Sequence, residues 1–435
     1  MNNENNPYQD LLNKPVNLIA IGLCIFVLQL SIVFSMMDIR GPYNLTGMWI
    51  TVPDFANRLN DPGSVLERVF TRLNGWDGQW YFHIAQNGYQ CPGIPESNNP
   101  NICNVAFFPA VPILGALMSK LGIDLLYAIP LVSQIAWLAT ILLVLFFVRS
   151  VIPIQPLHIL IVAVLVTYPG SVYGFVSYTE ALLTFLTLLI TTVSYWYLNR
   201  PRQILLWVLA SACFLVCLTK VSGVLVLGIP VLMALLHPAS NGKWFSRNQI
   251  QLYAASAAGV LGILLFLSYC EIRFGDWALY FRYVGAGWGG NTAGGLNINP
   301  FTIFQSFSWH EYIPLRVSNL VIIILPFVIL LLAVAALHYG KSMNYFHIPV
   351  VVTVLILFYL YSTLGNDNDF RNYNITRHMF PLIALLTLLA MLLVNRSFHR
   401  TGFVAVTLGL LSLIFIQSYA QMYMLNAFRI GNWVS

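Results

Sequence analysis

A single acid stands in an aromatic stretch near the beginning of the chain. Asp77 lies within residues 74–89, which read NGWDGQWYFHIAQNGY. A carboxylate there could act as a general base that takes a proton from an attacking hydroxyl group. Asp is also a favoured N-cap residue, and residues 78–87 would then form a short helix closed by Gly88. The two interpretations are compatible, because an N-cap holds its carboxylate still.

Aromatic and apolar side chains surround this acid. On the predicted short helix, Trp76, Trp80, Tyr81 and Ile84 would dip into the membrane interface as an aromatic belt. This arrangement would keep Asp77 at the membrane surface, where it could meet a lipid headgroup.

A second acid follows a serine at the start of an apolar run. Ser177 and Glu180 have the spacing of a capping box, in which Ser is the N-cap and Glu is the third helical residue. The functional alternative is a carboxylate that binds an acceptor or a hydrogen-bonding partner at the outer face. The spacing alone favours the structural interpretation.

Several cations lie near the ends of apolar runs. Lys220 stands between two such runs, and Arg377 and His378 stand at the start of another. Other members of this group are Arg273, Arg282 and Arg316. Such a group suggests an anionic ligand, for example a lipid phosphate. Long cationic side chains that snorkel to the interface are the alternative explanation.

The composition of the chain indicates a membrane protein. The chain is 58% hydrophobic and 8% charged, whereas a soluble domain carries about 25% charged residues. Long apolar runs recur along it, which predicts an all-α polytopic membrane protein. The net charge of +6 forms no basic stripe, so nucleic acid is not an expected partner. We predict spans at 16–37, 125–148, 157–175, 178–198, 203–219, 221–237, 251–270, 317–338, 346–363, 378–395 and 402–420.

Charge asymmetry orients these eleven spans. Residues 105–119 are also apolar, but they carry two prolines, and we interpret them as a surface-lying or partly dipping helix. With the N-terminus inside, the inner connections are short and basic, and of 15 acids only Glu4 and Asp10 lie inside. This distribution follows the positive-inside rule and places the C-terminus outside. Twelve spans are the alternative count.

The predicted topology defines two long outer loops in a single transmembrane domain. They cover residues 38–124, with juxtamembrane helices, and residues 271–316. Cys91 and Cys103 both lie in the first loop, and a disulfide between them in an oxidising space would contribute about 3 kcal/mol. The free and bonded states are equally compatible with the sequence. No Cys/His spacing suggests zinc.

The order of several motifs resembles the PIG-V family. These are GPI mannosyltransferase 2 and its bacterial relatives, which belong to the GT-C class of membrane glycosyltransferases. The first motif is WDGQWYFHIAQNGY at 76–89, followed by AFFPAVP at 106–112. Weaker matches follow in the order of the family: SYTEALL at 177–183, LTKVSG at 218–223 and TRHMFP at 376–381. The resemblance covers most of the chain.

The resemblance implies a GT-C-type fold and an inverting glycosyltransferase. A hexose, mannose in the family, would pass from a polyprenyl- or dolichyl-phosphate carrier to a glycolipid or other glycan acceptor at the outer or lumenal face. Asp77 would be the general base. The implied donor-phosphate ligands are Lys220, Arg377 and His378, and the implied substrate-binding residues are Glu180, Trp76, Trp80, Tyr81 and Tyr178.

The chain departs from the family in two places. Lys220 stands where the family usually has Arg, which keeps the charge but loses the bidentate fork. The insert from Gln90 to Asn104 is longer than usual, which bears on acceptor specificity. No cofactor is expected, and the need for a divalent metal stays open.

The sequence also bears on the location of the protein and on two rival functions. The short inner connections favour a bacterial inner membrane with a periplasmic site, and an ER membrane with a lumenal site is the alternative. A flippase or transporter of lipid-linked sugars would need charges at span centres, where the sequence places none. A non-catalytic subunit of a membrane glycosylation complex would tolerate the loss of Asp77.

Overall fold

The computed structural model describes residues 11–39, 63–91, 103–237, 245–287, 344–363, 377–393 and 400–430, with a few positions between 327 and 334. The first helices are α1 (Pro15–Asp38), α2 (Val65–Leu73), α3 (Asp77–Asn87), α4 (Ala110–Lys120) and α5 (Leu125–Val151). They are followed by α6 (Pro156–Thr167), a 3₁₀ helix (Pro169–Gly174), α7 (Glu180–Asn199), α8 (Gln203–Thr219), α9 (Gly223–Val226) and α10 (Gly228–Leu236). The last are α11 (Arg247–Phe274), α12 (Leu279–Gly287), α13 (Asn344–Thr363), α14 (Phe380–Leu393) and α15 (Arg400–Arg429).

Five helices in the described part of the chain are long and apolar enough to cross a membrane. They are α1, α5, α7, α11 and, within α15, Val404–Arg429. Each predicted span except 317–338 contains a helix, and that exception falls mostly outside the described residues. The 11-residue helix α4 covers only part of the predicted 105–119 segment. At 1.5 Å per residue it is about 16 Å long, which is too short to cross the membrane alone.

Helix α7 lies at the centre of the helical assembly. In the most apolar 18-residue window of α7, 78% of the residues are buried. The corresponding fractions are 22% for α1 and 11% for Val404–Arg429. Helices α5, α8, α10 and α14 pack around it. The apolar side chains that the outer helices expose suit contact with lipid tails. A charged residue, Glu180, therefore begins the most deeply buried of the candidate spans.

The predicted span at 157–175 is wrong in extent, because α6 ends at Thr167. Pro169 follows at the start of the 3₁₀ helix, and a residue that precedes proline avoids the helical region, as Tyr168 does with ψ 131°. The carbonyl of Val166 accepts hydrogen bonds from Gln29 at 2.9 Å and Gln421 at 3.2 Å. Side chains of α1 and α15 thus satisfy this backbone within an apolar bundle.

Candidate active site

The site begins at a strained turn that leads into α3. The N–H of Gly78 donates to the carbonyl of Gly75 at 3.1 Å, and Trp76 between them has φ 55° and ψ −123°. These angles are those of the first central residue of a type II′ turn, a position that favours glycine. Trp76 is the one non-glycine residue with positive φ in the described part of the chain. A strained position of this kind costs about 1–3 kcal/mol and is typical of functional sites.

Asp77 is not an N-cap, contrary to the prediction from its sequence context. Trp76 occupies the cap position and Asp77 is the first helical residue, with no cap bond from either side chain. The carboxylate of Asp77 instead accepts a hydrogen bond from Nη1 of Arg377 at 2.5 Å. The helix itself ends at Asn87 and is closed by Gly88, as the sequence indicated. The carboxylate of Asp77 thus forms a buried ion pair with Arg377 and not the predicted N-cap.

A close approach between α3 and residues 177–179 fixes the position of Asp77. A methyl group added to Gly78 would lie 2.9 Å from Cβ of Ser177. The N–H of Ser177 donates to the carbonyl of Leu73 at 3.0 Å, and its hydroxyl donates to Asn74 at 2.6 Å. The backbone and side chain of Ser177 therefore tie the start of α7 to the turn before α3.

The predicted capping box at Ser177 and Glu180 is also wrong. Helix α7 begins at Glu180 itself, and its N-cap is Thr179, which makes no side-chain cap bond. Because Ser177 bonds to Asn74, its hydroxyl is not used as a cap. The carboxylate of Glu180 therefore closes no capping box, and its charged partners come from distant parts of the chain.

One oxygen of Glu180 joins two cations. Its Oε1 accepts hydrogen bonds from Nζ of Lys220 at 2.9 Å and from Nε of Arg377 at 2.5 Å. Nδ1 of His378 lies 3.9 Å from the same oxygen. The Glu180 side chain is completely buried. Burial makes such a charge costly unless it is paired and hydrogen-bonded, as this one is.

Arg377 links the two acids of the site. It contacts both Asp77 and Glu180, and its guanidinium lies 4.4 Å from the ring centre of Tyr178. The hydroxyl of Tyr178 accepts a hydrogen bond from the N–H of Asp77 at 3.3 Å. Burial disfavours the charge of Arg377, but Glu180 and Asp77 outweigh burial and raise its pKa above the ordinary value. Arg377 is therefore a permanent cation between two carboxylates.

Lys220 and His378 complete the cluster. Lys220 directly follows α8, and its Nζ lies 2.9 Å from Nδ1 of His378. Burial and the neighbouring Lys220 and Arg377 hold the pKa of His378 well below its usual value. Burial also lowers the pKa of Lys220, although Glu180 opposes this effect. The contact suits an ammonium as donor and a neutral ring nitrogen as acceptor.

We refer to Asp77, Glu180, Lys220, Arg377 and His378 as the charge cluster. Its two carboxylates balance its two cations, so the formal charge of these five residues is zero. Asp77 and Glu180 begin α3 and α7, Lys220 directly follows α8, and Arg377 and His378 precede α14. The charges therefore lie at one end of the helices and not at their centres.

The predicted aromatic belt is wrong for three of its four members. Trp80, Tyr81 and Ile84 are buried within the protein, with exposed fractions of 5%, 3% and 6%. The ring of Trp80 stacks on Phe107 at 5.5 Å. Burial raises the pKa of Tyr81, with Glu180 as a further cause. Trp76 is partly exposed and is the member of the group that a ligand can reach most readily.

The cations of the second outer loop do not join the charge cluster. Arg282 pairs with Asp276 at 3.2 Å, and Arg273 is an exposed residue in the last turn of α11. Arg316 lies outside the described residues. Of the cations that the sequence singled out, Lys220 and Arg377 meet, with His378 beside them.

A disulfide joins Cys91 and Cys103, with their Cα atoms 4.2 Å apart. The backbone N–H of Cys103 donates to the hydroxyl of Tyr283 at 3.2 Å. Tyr283 belongs to α12, so the disulfide lies where the two predicted outer loops meet.

Two residues of the site were missed from the sequence. The hydroxyl of Thr179 lies 3.4 Å from Oε2 of Glu180, and the ring centre of Tyr173 lies 5.9 Å from the guanidinium of Arg377. Both belong to the irregular segment between α6 and α7. The proline and glycines of that segment, in YPGSVYG at 168–174, were the available signal.

Comparison with known proteins leaves the chain without an assigned family. No protein-family model matches it, and no curated protein matches it significantly.

Proposed function

We propose that the protein is an inverting membrane glycosyltransferase that uses a polyprenyl- or dolichyl-phosphate sugar as donor. The transferred group would be a hexose, mannose by resemblance to the PIG-V family, and the acceptor a glycolipid or another glycan. One observation carries the proposal: Asp77 pairs with Arg377, and Glu180 joins Arg377 to Lys220, which contacts His378, in one cluster at the ends of the helices. An acid paired with an anion-binding group is what this transfer requires.

Asp77 is the proposed general base. Its Oδ2 is held by Arg377, while Oδ1 accepts no hydrogen bond from the described residues. The side chain keeps 11% of its surface exposed, so an acceptor hydroxyl can reach it. That hydroxyl gives its proton to Asp77 as its oxygen attacks the anomeric carbon. General-base assistance of this kind contributes about 10²–10⁴-fold to the rate.

The two cations are the proposed ligands of the departing phosphate. The bond between the anomeric carbon and the phosphate oxygen breaks, and its electron pair stays on that oxygen. A lipid phosphate leaves, and the configuration of the anomeric carbon is inverted. Nη2 of Arg377 donates to none of the described residues, and the Lys220 side chain is 20% exposed. Both can therefore donate to the anion, and removal of one such donor typically costs about 10²–10³-fold in kcat.

The aromatic residues divide into two groups in this mechanism. Trp76 is partly exposed next to Asp77 and could stack on the sugar or the lipid chain. Trp80 and Tyr81 are packed inside the protein, so their proposed contribution is to hold α3 in place. Tyr178 holds the N–H of Asp77 and the guanidinium of Arg377 together.

The proposed location is a bacterial inner membrane, with the charge cluster on the periplasmic side. Five helices among the described residues are long and apolar enough to span a membrane, and the distribution of acids and bases in the sequence supports this orientation. The Cys91–Cys103 disulfide supports it as well, because disulfides persist in oxidising compartments. A lumenal site in an ER membrane is the alternative.

Release of lipid phosphate tests the proposal without knowledge of the acceptor. The purified protein in liposomes would be given polyprenyl-phosphate mannose and a membrane lipid extract, and free polyprenyl phosphate would be measured by mass spectrometry. We expect wild-type release and at least 100-fold slower release by Asp77→Asn. Asp38→Asn is the matched control, because Asp38 forms a partly exposed pair with Arg68 away from the cluster.

Two outcomes would contradict the proposal. Release by Asp77→Asn within tenfold of wild type would remove Asp77 as the base. Movement of the intact donor across the liposome membrane, without release of phosphate, would identify a transporter of lipid-linked sugars instead.

A further inference from the structure

Glu180 has no surface through which it could contact a ligand. Its side chain is completely buried, whereas the side chains of Lys220 and Arg377 are 20% and 10% exposed. Within the described residues it is the one charged residue with no exposed surface. Any influence of Glu180 on a bound substrate must therefore pass through its neighbours. This differs from the sugar-binding role that the family resemblance implied.

The neighbours of Glu180 are two like charges. Lys220 and Arg377 lie 157 residues apart in the chain, and each donates a hydrogen bond to the same oxygen, Oε1. Two cations in a buried place repel each other unless an anion lies between them. Thr179 contacts the second oxygen, Oε2, at 3.4 Å, so both oxygens of Glu180 have partners.

Glu180 also weakens the binding of an anion. It cancels one of the two positive charges that a phosphate would meet, so it lowers the electrostatic attraction of the site. A residue that only attracted the phosphate would not be an acid. The geometry indicates that Glu180 fixes the positions of the two cations, although it weakens their attraction for a phosphate.

We propose that Glu180 is a positioning residue that holds Lys220 and Arg377 at a fixed separation, so that both donate to one anionic group. The proposal rests on the proposed function in one respect, since the anionic group is taken to be the phosphate of the lipid-linked donor. Glu180 then contributes to turnover by orienting the two cationic side chains, and it does not itself bind the substrate.

This role predicts opposite effects on affinity and turnover. In Glu180→Gln the formal charge of the cluster rises from 0 to +1, so an anionic lipid binds at least as tightly as in wild type. The two cations lose their common partner and move, and misplacement by about 1 Å can cost about 100-fold in rate. Glu180→Asp keeps the charge with a shorter side chain, so its kcat falls between those of wild type and Glu180→Gln.

The test measures affinity and turnover separately, in full-length protein reconstituted in nanodiscs. Farnesyl phosphate is the binding probe, followed by tryptophan fluorescence, and release of polyprenyl phosphate from polyprenyl-phosphate mannose gives kcat and KM. Asp38→Asn also removes one acid, and it should change neither measurement. Size-exclusion chromatography establishes that each variant is folded.

Lower kcat with unchanged or tighter farnesyl phosphate binding in Glu180→Gln supports the proposal. Wild-type kcat, or weaker binding by a folded Glu180→Gln, overturns it. If Glu180→Gln does not fold, Glu180→Asp decides: wild-type affinity with reduced kcat supports the role, and wild-type values of both overturn it.

Failure of the proposed function is recognised separately. If wild type releases no lipid phosphate from any polyprenyl-phosphate sugar, the glycosyltransferase assignment is wrong. The binding measurements then decide the role of Glu180 alone. Unchanged or tighter binding by a folded Glu180→Gln, with no change in Asp38→Asn, supports it, and weaker binding overturns it.

Discussion

At the scale of single residues, the charge cluster shows how a buried site keeps its charges. Arg377 contacts both acids, and Lys220 shares Glu180 with it. His378 stays neutral beside two cations, because burial and their charges lower its pKa. The site thus holds three buried charges and the partly exposed Lys220 with every charge paired, as low-dielectric surroundings require.

The neutral state of His378 predicts an acid-sensitive fold. In the unfolded chain the imidazole titrates near pH 6.5, and in the folded protein its pKa lies well below that value. As the pH falls below about 6.5, the unfolded state binds the proton first. The stability contributed by neutral His378 is therefore fully present above about pH 6.5 and decreases at lower pH, by up to about 1.4 kcal/mol per pH unit.

Thermal unfolding of wild type and His378→Gln between pH 8 and pH 5 would measure this effect. We expect the unfolding midpoint of the variant to fall less steeply below pH 6.5, because Gln does not take up a proton. Parallel curves for the two proteins across this range would show that His378 does not carry the acid sensitivity.

At the scale of elements, the position of Asp77 depends on contact between α3 and the start of α7. The turn at Trp76 directs the first residue of α3 inward, and Gly78 allows the backbone to approach Ser177 closely. From α5, the hydroxyl of Ser133 donates to the carbonyl of Tyr178 at 2.9 Å and supports the same segment. The irregular segment before α7 is thus bonded on two sides, which fixes Tyr178 and Glu180.

A methyl group at Gly78 should separate these elements. In Gly78→Ala the new Cβ would lie 2.9 Å from Cβ of Ser177 and 3.4 Å from its carbonyl oxygen. We expect a loss of stability of about 1–3 kcal/mol and at least tenfold slower transfer, since Asp77 moves relative to Arg377. Thermal unfolding and release of lipid phosphate would measure the two effects.

Gly409→Ala is the matched control for this substitution. Gly409 lies within α15, and an added Cβ would meet no atom within 4 Å. Alanine favours a helix over glycine by up to about 1 kcal/mol, so the control should be at least as stable as wild type. Equal behaviour of the two variants would show that the approach of α3 to Ser177 is not tight.

At the scale of the whole molecule, the charge cluster and the disulfide belong to one end of the bundle. Asn74 beside the cluster donates to the carbonyl of Leu126 at the start of α5, at 2.8 Å. Leu121, just before α5, is 83% exposed at that end. Phe245, just before α11, is 76% exposed. The proposed topology places Leu121 on the outer side of the membrane and Phe245 on the cytoplasmic side.

Cysteine labelling should distinguish the two ends. Leu121→Cys and Phe245→Cys would be made in a Cys24→Ser background, since Cys24 is the exposed free cysteine of the described residues. In spheroplasts, a membrane-impermeant maleimide should label Leu121→Cys at once and Phe245→Cys only after lysis. The reverse pattern would place Asp77 on the cytoplasmic side and overturn the proposed location.

The sequence by itself determined the helical membrane character and the approximate positions of most apolar helices that the structure describes. Apolar length and the separation of acids from bases are local properties, which can be read from short windows of the chain. It also pointed to Asp77, Glu180, Lys220, Arg377 and His378 individually, through their unusual neighbours.

Only the tertiary structure decided which of these residues meet. Asp77 and Arg377 are 300 residues apart, and Glu180 and Arg377 are 197 apart, so no local pattern encodes their contacts. The sequence predicted capping roles for Asp77 and Glu180, because a capping bond joins groups only a few residues apart and can be read from a local pattern. A cap contributes about 1 kcal/mol, whereas a buried charge without a counter-charge costs several, so pairing with distant cations prevailed.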